Sequence, residues 1–278
     1  MRLLGLLHRE FEIRRVRFTG GEPLLRRDLP ELIGEVRALG IPELALTTNA
    51  QLLSPCAVAL KEAGLQRINI SLDSLRSEVF ARITRGGILG RTLAGIQAAR
   101  LAGLGPVKLN VVVLRGVNDA ELGDLLRFAL QTGCHLRFLE LMPVGEAAAG
   151  FADGFVSVAE MREQLGELGY GWQPLPWDSS ETSRDFLVRD ADGRETVCGF
   201  ITPTSEPFCT GCRRLRFTSD GWLHGCLARF GRQDLKPLLG LDEEAAAHQI
   251  RGVVRTAFAQ KQCPRFEQTV ASMADVGG

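Results

Sequence analysis

Short apolar runs alternate with amphipathic stretches along the first 145 of the 278 residues. Apolar runs of four to eight residues predict strands, and the longer stretches with a helical period predict helices. The predicted strands cover 14–18, 43–48, 67–72, 107–114 and 136–141. The predicted helices cover 28–39, 55–63, 75–83, 91–102 and 119–131. This alternation predicts an α/β fold in which parallel strands are joined by right-handed crossovers.

Two of the helices carry start signals. Ser54 before Pro55 predicts an N-cap and a first helical residue, and Asn118 before Asp119 predicts a second N-cap. From position 145 the pattern changes, and we divide the chain into domains at 1–144 and 145–278. The second part predicts helices at 158–169 and 243–261, a loop at 172–185 and an extended segment at 198–209.

Polar residues collect at or near the ends of the predicted strands. In (β/α) barrels the carboxyl ends of the strands carry the active site, so this placement favours a barrel with its chemistry at that edge. The residues concerned are Thr19, Thr48, Asn49, Ser71, Asp73, Asn110, Glu140 and Met142.

The segment FTGGEPLLR, residues 18–26, directly follows the first predicted strand. Gly20 and Gly21 allow close approach of the backbone to a ligand, and Glu22 beside them is a candidate partner for an ammonium group. A tight turn between strand and helix with no ligand is the alternative interpretation.

Four cations are candidates for anion binding: Arg15, Arg17, Lys108 and Arg137. If their side chains point inward, they form a cationic funnel for a polyphosphate. Solvated charges at the strand ends are the alternative. The formal net charge of the whole chain is zero, so no global field attracts nucleic acid or acidic membranes.

Cys209, Cys212 and Cys226 have a spacing typical of metal ligands. Three thiolates leave one coordination position open, and Arg213, Arg214 and Arg216 place positive charge nearby. From these residues alone, structural zinc and an iron–sulfur cluster remain equal alternatives. The seven cysteines do not suggest a disulfide framework, and no apolar run reaches about 18 residues, so we expect a cytoplasmic protein.

Taken together, several segments closely resemble the radical S-adenosylmethionine GTP 3′,8-cyclase family of molybdenum cofactor biosynthesis. They are TGGEPLLRRDL, LTTNAQLL, LKEAGLQRINISLDSL, VKLNVVVLRGVND, RFLELMPVG and FCTGCRRLRFTSDG. The resemblance implies an incomplete (β/α)6 barrel, here without its first strand, and a C-terminal iron–sulfur extension. It also implies radical cyclisation of GTP to 3′,8-cyclo-7,8-dihydroguanosine triphosphate.

The resemblance assigns roles to particular residues. Ligands of a C-terminal 4Fe–4S cluster would be Cys209, Cys212 and Cys226. Contacts to GTP would be Arg15, Arg17, Thr48, Lys108, Arg137, Arg214 and Arg216. Contacts to S-adenosylmethionine would be Thr19, Gly20, Gly21, Glu22, Ser71 and Met142. The terminal Gly277 and Gly278 would enter the active site and assist catalysis.

The sequence departs from the family pattern at one place. The family's Cys-x3-Cys-x2-Cys loop, which holds a second 4Fe–4S cluster, does not occur in these residues, whose first cysteine is Cys56. We therefore expect that this chain does not cleave S-adenosylmethionine by itself. A mispredicted start, a fragment completed by another polypeptide and a decayed paralogue are the competing explanations.

Three alternatives remain open beside the cyclase: a non-catalytic protein that binds GTP and an iron–sulfur cluster, another radical S-adenosylmethionine enzyme with an auxiliary cluster, and a zinc-stabilised binding domain. The resemblance implies as partners GTP, S-adenosylmethionine, an electron donor and the enzyme that next forms the cyclic pyranopterin. It implies neither nucleic acid nor a membrane, and it is compatible with a homodimer.

Overall fold

The computed structural model describes residues 1–226 and 231–261. Its main feature is an eight-stranded sheet with the strand order β1-β2-β3-β4-β5-β8-β7-β6. The strands are β1 Arg15–Phe18, β2 Glu43–Thr48, β3 Arg67–Ser71, β4 Val107–Val113, β5 His135–Glu140, β6 Gly171–Pro174, β7 Ser183–Arg189 and β8 Glu195–Ile201. The five strands predicted from sequence are β1 to β5, and each end lies within one residue of its predicted position.

Parallel pairing connects β1 to β5 in sequence order and continues from β5 to β8. The last two strands, β7 and β6, run antiparallel to their neighbours. The predicted α/β fold with parallel strands is therefore confirmed. Because β8 belongs to the same sheet as β5, the sheet runs across position 144, and the predicted division of the chain into two domains stays a prediction.

Helices fill the connections between the parallel strands, and all five predicted ones are present. The helices of the described residues are α1 Arg2–Phe11, α2 Leu29–Ala38, α3 Ala57–Ala63, α4 Ser77–Ile83, α5 Leu89–Leu101, α6 Leu122–Thr132, α7 Phe151–Gly154, α8 Val158–Gly166 and α9 Glu243–Ala259. None of these helices combines the length and the apolar character needed to cross a membrane.

The two faces of the sheet differ in chemistry because alternate residues of a strand point to opposite sides. One face is apolar and packs against the helices; Leu46, Ile68, Ile70, Leu109 and Phe138 on it are fully buried. The other face carries polar and charged residues from most of the strands. The hydrophobic effect therefore fixes the register, since a shift by one residue would bury the charged row.

Side chains on the polar face interact across strands that are not neighbours. Arg137 on β5 lowers the pKa of Arg17 on β1, although three strands lie between them. In a flat sheet these strands would be about 19 Å apart, at about 4.8 Å per strand. The sheet is therefore curved, with the charged row on its concave face, as an incomplete barrel requires.

The predicted helix start at Ser54 and Pro55 is wrong, whereas the one at Asn118 is confirmed in position, because a 3-10 turn begins at Asp119 with Asn118 as its N-cap residue and leads into α6. The helix α3 begins at Ala57, after Cys56, because residues 50–56 form successive turns in which the Leu53 carbonyl accepts hydrogen bonds from the N–H groups of Cys56 and Ala57. Asn118 caps no helix with its side chain. Its Oδ1 accepts from Leu114 N–H, and its Nδ2 donates to the carbonyls of Asp73 and Val112.

The predicted loop at 172–185 is only partly correct, because β6 occupies 171–174 and β7 begins at Ser183. The two predicted helices after position 145 are present as α8 and α9. A capping box opens α8: the Ser157 hydroxyl accepts from the Glu160 N–H, and the Glu160 carboxylate accepts from the Ser157 N–H.

A second, three-stranded sheet follows the cysteine segment. It has the order β11-β10-β9, with β9 Arg216–Phe217, β10 Trp222–His224 and β11 Arg232–Asp234. Leu223 of this sheet shares a small hydrophobic core with Leu6 of α1 and with Ile250 and Val254 of α9. The first and last described helices are thereby attached to the segment that carries the cysteines.

Two glycines of α5 give a stability test of the packing. A Cβ at Gly95 would lie 2.6 Å from the Ala50 carbonyl oxygen, whereas a Cβ at Gly90 meets no atom within 4 Å. We expect Gly95→Ala to lower the free energy of unfolding by about 1–3 kcal/mol through overpacking, despite the better helix propensity of alanine. Gly90→Ala should leave it unchanged or raise it by up to about 1 kcal/mol. Urea unfolding measures both, and equal effects of the two substitutions would contradict this packing.

Candidate functional site

The predicted cations Arg15, Arg17, Lys108 and Arg137 all belong to the polar row of the sheet. The register places Arg17 opposite Ala45, Lys108 opposite His135 and Arg137 opposite Asn110. Sequence reasoning missed a fifth cation in the same row, Arg67 at the start of β3. We call Arg15, Arg17, Arg67, Lys108 and Arg137 the cationic row.

Arg17 is exposed, yet its pKa is lowered to about 10. Loss of water is the largest cause, followed by repulsion from Arg137, Arg15 and Arg214. A side chain that is open to solvent and still largely surrounded by protein lies in a concave surface. Arg214 belongs to the cysteine segment, so this segment lies close to the cationic row.

Lys108 is the lysine of the cationic row, and its pKa is strongly lowered. Burial is the first cause and Arg137 the second, and together with Arg67 and Arg17 they lower the pKa of Lys108 to about 8, against the opposing effect of Asp185. Burial and then Lys108 also lower the pKa of the neighbouring His135 to about 4. His135 is therefore neutral at pH 7 and adds no positive charge.

Two carboxylates balance part of this charge. Glu43 on β2 accepts from Arg15 on one side, with Nε–Oε1 at 2.6 Å and Nη2–Oε2 at 2.9 Å, and lies 3.5 Å from Arg67 Nη1 on the other. Asp185 on β7 lies 3.8 Å from Arg137 Nη2. The row therefore keeps a surplus of positive charge facing solvent.

The structure does not bring Thr48 to the cationic row. Thr48 faces the helices, is 3% exposed, and donates its hydroxyl to Glu22 Oε1 at 2.6 Å. The preceding Thr47 lies on the polar face instead, where its Oγ1 accepts from Asn69 Nδ2 at 3.2 Å. The alternation of β2 makes Thr47, not Thr48, the threonine that faces the cations.

Asn110 lies in the register between Ser71 of β3 and Arg137 of β5. Its Oδ1 is buried and has no hydrogen-bond partner among the described residues. Buried polar atoms are nearly always satisfied by protein, water or a ligand. This oxygen is therefore free to accept from a water molecule or from a polar ligand above the polar face at the level of Ser71.

The glycine motif forms the turn after β1. Gly20 has a φ of 151°, in the region that favours glycine. The Glu22 carboxylate accepts from the N–H of Leu24 and of Asn49 as well as from Thr48. These bonds join the ends of β1 and β2, so Glu22 shapes the turn and is already well supplied with donors. Its predicted role as a partner for an ammonium group stays a prediction.

Thr19 lies at the same edge as the glycine turn, with Ser71 at the end of β3 and Met142 just after β5. Asp73, two residues after Ser71, accepts from the Val112 N–H at 2.8 Å. Burial raises the pKa of Asp73 to about 6, although this hydrogen bond opposes the shift. The carboxyl ends of β1, β3 and β5 thus form a polar edge, as predicted.

Glu140, at the end of β5, joins this edge to the chain that leads to the cysteines. It is 1% exposed, and its carboxylate accepts from the N–H groups of Val158, Thr204 and Ser205 at 3.0–3.1 Å. One buried charge therefore fixes both the start of α8 and the turn after β8. That turn sets the path of the chain towards Cys209.

Cys209 and Cys212 flank a short 3-10 turn, in which Cys212 N–H donates to the Cys209 carbonyl at 3.2 Å. Only glycine fits at 211, because a Cβ there would overlap the Ser179 carbonyl oxygen. At Gly225, just before Cys226, an added Cβ would likewise overlap the Ala257 carbonyl oxygen of α9. Close backbone packing on both sides therefore sets the positions of the thiols.

Cations surround the thiols. Arg214 Nε donates to Cys212 Sγ at 3.2 Å, and the buried Lys261 lies close to Cys212 while donating to the Arg214 carbonyl. Burial alone would raise the pKa of Cys212, but Arg214 and Lys261 lower it overall. Both Cys212 and Cys226 also act on the pKa of Arg216. The thiolate of Cys212 is thus electrostatically favoured, as a metal ligand requires.

The cysteine thiols of the described residues do not enclose a single metal ion. Within residues 1–226 and 231–261, no three His, Cys, Asp or Glu side chains lie close enough together to hold one ion. The donor type and the surrounding charge nevertheless fit an iron–sulfur cluster. The predicted tail residues Gly277 and Gly278 lie outside the described residues.

The structure also identifies residues that sequence reasoning missed. Lys261 is 7% exposed beside Cys212, and Asp185 faces the cationic row from a segment predicted as loop. Arg67 and Thr47 could have been found from the alternation of β3 and β2, since each lies two residues from another polar position. The position of Lys261 depends on the packing of α9 and has no local sequence signal.

Comparison with known proteins defines first the class of the fold. Residues 1–129 match the Radical SAM superfamily, and residues 134–266 match the family Molybdenum Cofactor Synthesis C. A crystal structure of Streptococcus suis SuiB bound to S-adenosylmethionine superimposes with a TM-score of 0.54 at 15% identity, over 84% of this chain and 55% of that one. The chain thus spans about half the length of SuiB, and the likeness establishes the radical SAM fold.

Curated relatives then specify the family. The GTP 3′,8-cyclase of Listeria monocytogenes is 44% identical over 237 residues, which are 83% of this chain and 69% of the relative. The GTP 3′,8-cyclase of Moorella thermoacetica is 41% identical over 269 residues, 96% of this chain and 82% of the relative. The chain belongs to the GTP 3′,8-cyclase family, a family of radical SAM enzymes of molybdenum cofactor synthesis.

Proposed function

We propose that the concave face of this chain binds GTP for radical cyclisation to 3′,8-cyclo-7,8-dihydroguanosine triphosphate. The observation that carries the proposal is the convergence of Arg17, Arg137 and Arg214, which come from two non-adjacent strands and from the cysteine segment. One ligand with an anionic end and an aromatic end can occupy both regions. A purine nucleoside triphosphate has that chemistry.

The cationic row is the proposed triphosphate site. Arg15, Arg17, Lys108 and Arg137 present guanidinium and ammonium donors that favour phosphate oxygens. Thr47 adds a hydroxyl on the same face, and we propose it in place of Thr48. Arg214 and Arg216, beside the thiols, would orient the guanine end.

Cys209, Cys212 and Cys226 are the proposed ligands of a 4Fe–4S cluster. Bound there, such a cluster supplies an iron with an open coordination position to hold the purine. Arg214 and Lys261 stabilise the thiolate of Cys212 and place positive charge beside the proposed cluster. Structural zinc is the alternative occupant, and metal analysis separates the two.

S-adenosylmethionine is proposed to lie at the polar edge of the sheet. The turn Thr19–Gly20–Gly21–Glu22 would receive its methionine end, with Ser71 and Met142 as further contacts. The unpartnered Oδ1 of Asn110 supports a polar ligand at this level. In this family the cofactor is the source of the carbon radical that removes the ribose 3′ hydrogen.

We further propose the remaining expectations from sequence: a cytoplasmic location, an electron donor, delivery of product to the enzyme that forms the cyclic pyranopterin, and assistance from Gly277 and Gly278.

Removal of one cluster ligand tests the metal assignment. After anaerobic reconstitution, Cys209→Ser should reduce the iron content of the C-terminal site from about four atoms per chain to near zero. Cys56→Ser is the matched control and should retain the iron, because Cys56 lies at the start of α3, in another part of the fold. Zinc in the unsubstituted protein, or iron retained by Cys209→Ser, would contradict the assignment.

A pH titration tests the triphosphate site. Because the pKa of Lys108 is about 8, its ammonium form is present below pH 8 and is lost above it. Phosphate oxygens bind the charged form, so the Kd for GTP should rise about threefold to tenfold between pH 7 and pH 9. Lys108→Arg stays charged and should remove this rise. Calorimetry at constant ionic strength measures it, and an equal rise in both proteins would count against Lys108.

Cofactor cleavage separates a complete radical enzyme from a GTP-binding protein. The 278 residues contain one cysteine triplet with metal-ligand spacing. We propose that a polypeptide of these 278 residues, reduced with dithionite, binds GTP without forming 5′-deoxyadenosine from S-adenosylmethionine. Chromatography of the quenched reaction measures the product. A yield of 5′-deoxyadenosine above the protein-free control would contradict this proposal.

A further inference from the structure

Asp185 is an acidic residue inside a face that is proposed to bind an anion, and its placement follows from the register. Arg137 of β5 pairs with Gly199 of β8, and Gly199 pairs with Asp185 of β7. The three residues therefore form one row across three strands. The carboxylate and the guanidinium approach each other over the backbone of the glycine between them.

Gly199 makes this approach sterically feasible. A Cβ at position 199 would overlap both Asp185 Oδ1 and Ser183 Oγ. With no side chain there, Asp185 reaches across β8 until its Oδ2 lies 3.8 Å from Arg137 Nη2. Any larger residue at this position would displace the carboxylate.

Ser183 fixes the other side of the carboxylate. Its hydroxyl donates to Asp185 Oδ1, which leaves Oδ2 directed towards Arg137. The Arg137 side chain is only 14% exposed, and repulsion from Arg15 and Arg17 acts on it from the opposite side. Asp185 and, at longer range, Glu181 are the carboxylates that attract it.

A carboxylate in an anion site has two opposing effects. Its charge repels phosphate, which by itself weakens binding. It also holds a guanidinium that its neighbours would otherwise push away, and a donor with a fixed orientation loses less entropy when it binds a ligand. If removal of the carboxylate charge weakens phosphate binding, the positioning of the guanidinium dominates; if it strengthens binding, the repulsion dominates.

We propose that Asp185 is a positioning residue for triphosphate recognition, which holds Arg137 in the orientation that binds phosphate, and that Gly199 and Ser183 serve this placement. The inference rests on the proposed function, because it assigns a role within the same GTP site. Asp185 itself does not touch the phosphates; it acts through Arg137.

Asp185→Asn tests the proposal, because it retains the size of the side chain and removes its charge. We expect the Kd for GTP to rise about tenfold, the size associated with one charge-assisted hydrogen bond, and the Kd for guanosine to remain unchanged. Asp192→Asn, at the tip of the hairpin between β7 and β8 and paired with Arg194, makes the same change in net charge and should leave both values unchanged. Unchanged or tighter binding of GTP by Asp185→Asn would overturn the proposal.

The Arg137→Gln background shows whether Asp185 acts through Arg137. Arg137→Gln alone should weaken GTP binding, and adding Asp185→Asn should cause no further loss. A full tenfold additional loss would assign Asp185 a different role and overturn the proposal. Thermal unfolding of each variant checks that the weakened binding is measured on folded protein.

Binding of inorganic tripolyphosphate tests the role of Asp185 separately from the proposed function, because this ligand needs neither the cluster nor a base-binding site. Weaker binding of tripolyphosphate by Asp185→Asn supports the role of Asp185 even if the unsubstituted chain binds no GTP, a result that would reject the proposed function alone. If the unsubstituted chain binds neither tripolyphosphate nor GTP, both proposals are rejected.

Discussion

Mutual repulsion among the cations of the concave face is the constraint on which the rest of the site depends. Curvature of the sheet brings Arg17 of β1 and Arg137 of β5 within electrostatic range, which a flat sheet of the same strands would not do. Burial is the first cause of the lowered pKa values of Arg17 and Lys108, and this repulsion lowers them further. A bound polyanion would relieve the repulsion, so the folded protein is preorganised to bind a polyanion.

The apolar side of the sheet supplies the free energy that holds these charges together. Its buried Leu, Ile, Val and Phe side chains pack against the helices, and a shift of one residue in any strand would exchange them with the charged row. Glu43 offsets the repulsion at one end of the row and Asp185 at the other. Burial therefore fixes the register, and the two carboxylates fix the orientation of the arginines.

The cysteine segment is held near this row by different interactions. Glu140 anchors the turn after β8, and Gly211 and Gly225 allow the backbone to pack against Ser179 and Ala257. Arg214 links the two regions, because it bonds to Cys212 and acts on Arg17. A nucleotide that spans both regions would therefore be held by the sheet at its phosphates and by the cysteine segment at its base.

Much of this could be predicted from sequence, because strand alternation and motif spacing are local signals. The five parallel strands and the inward cations Arg17 and Lys108 followed from period and position. The resemblance assigned Thr48 to GTP, whereas the alternation of β2 places Thr47 on the polar face, and a polar pair at a strand end does not by itself reveal which member faces inward. Asp185 lay in a segment without a clear period, and its partnership with Arg137 depends on the pairing of β5, β8 and β7 over Gly199. Such long-range registers have no local signal.

The central claim is that the concave cationic face binds the triphosphate of a guanine nucleotide. The most direct test is calorimetric binding of GTP, GDP, GMP and guanosine to the anaerobically reconstituted chain at constant ionic strength. The account predicts that the Kd rises at each removal of a phosphate, with the largest total difference between GTP and guanosine. Equal affinity for all four ligands would contradict it.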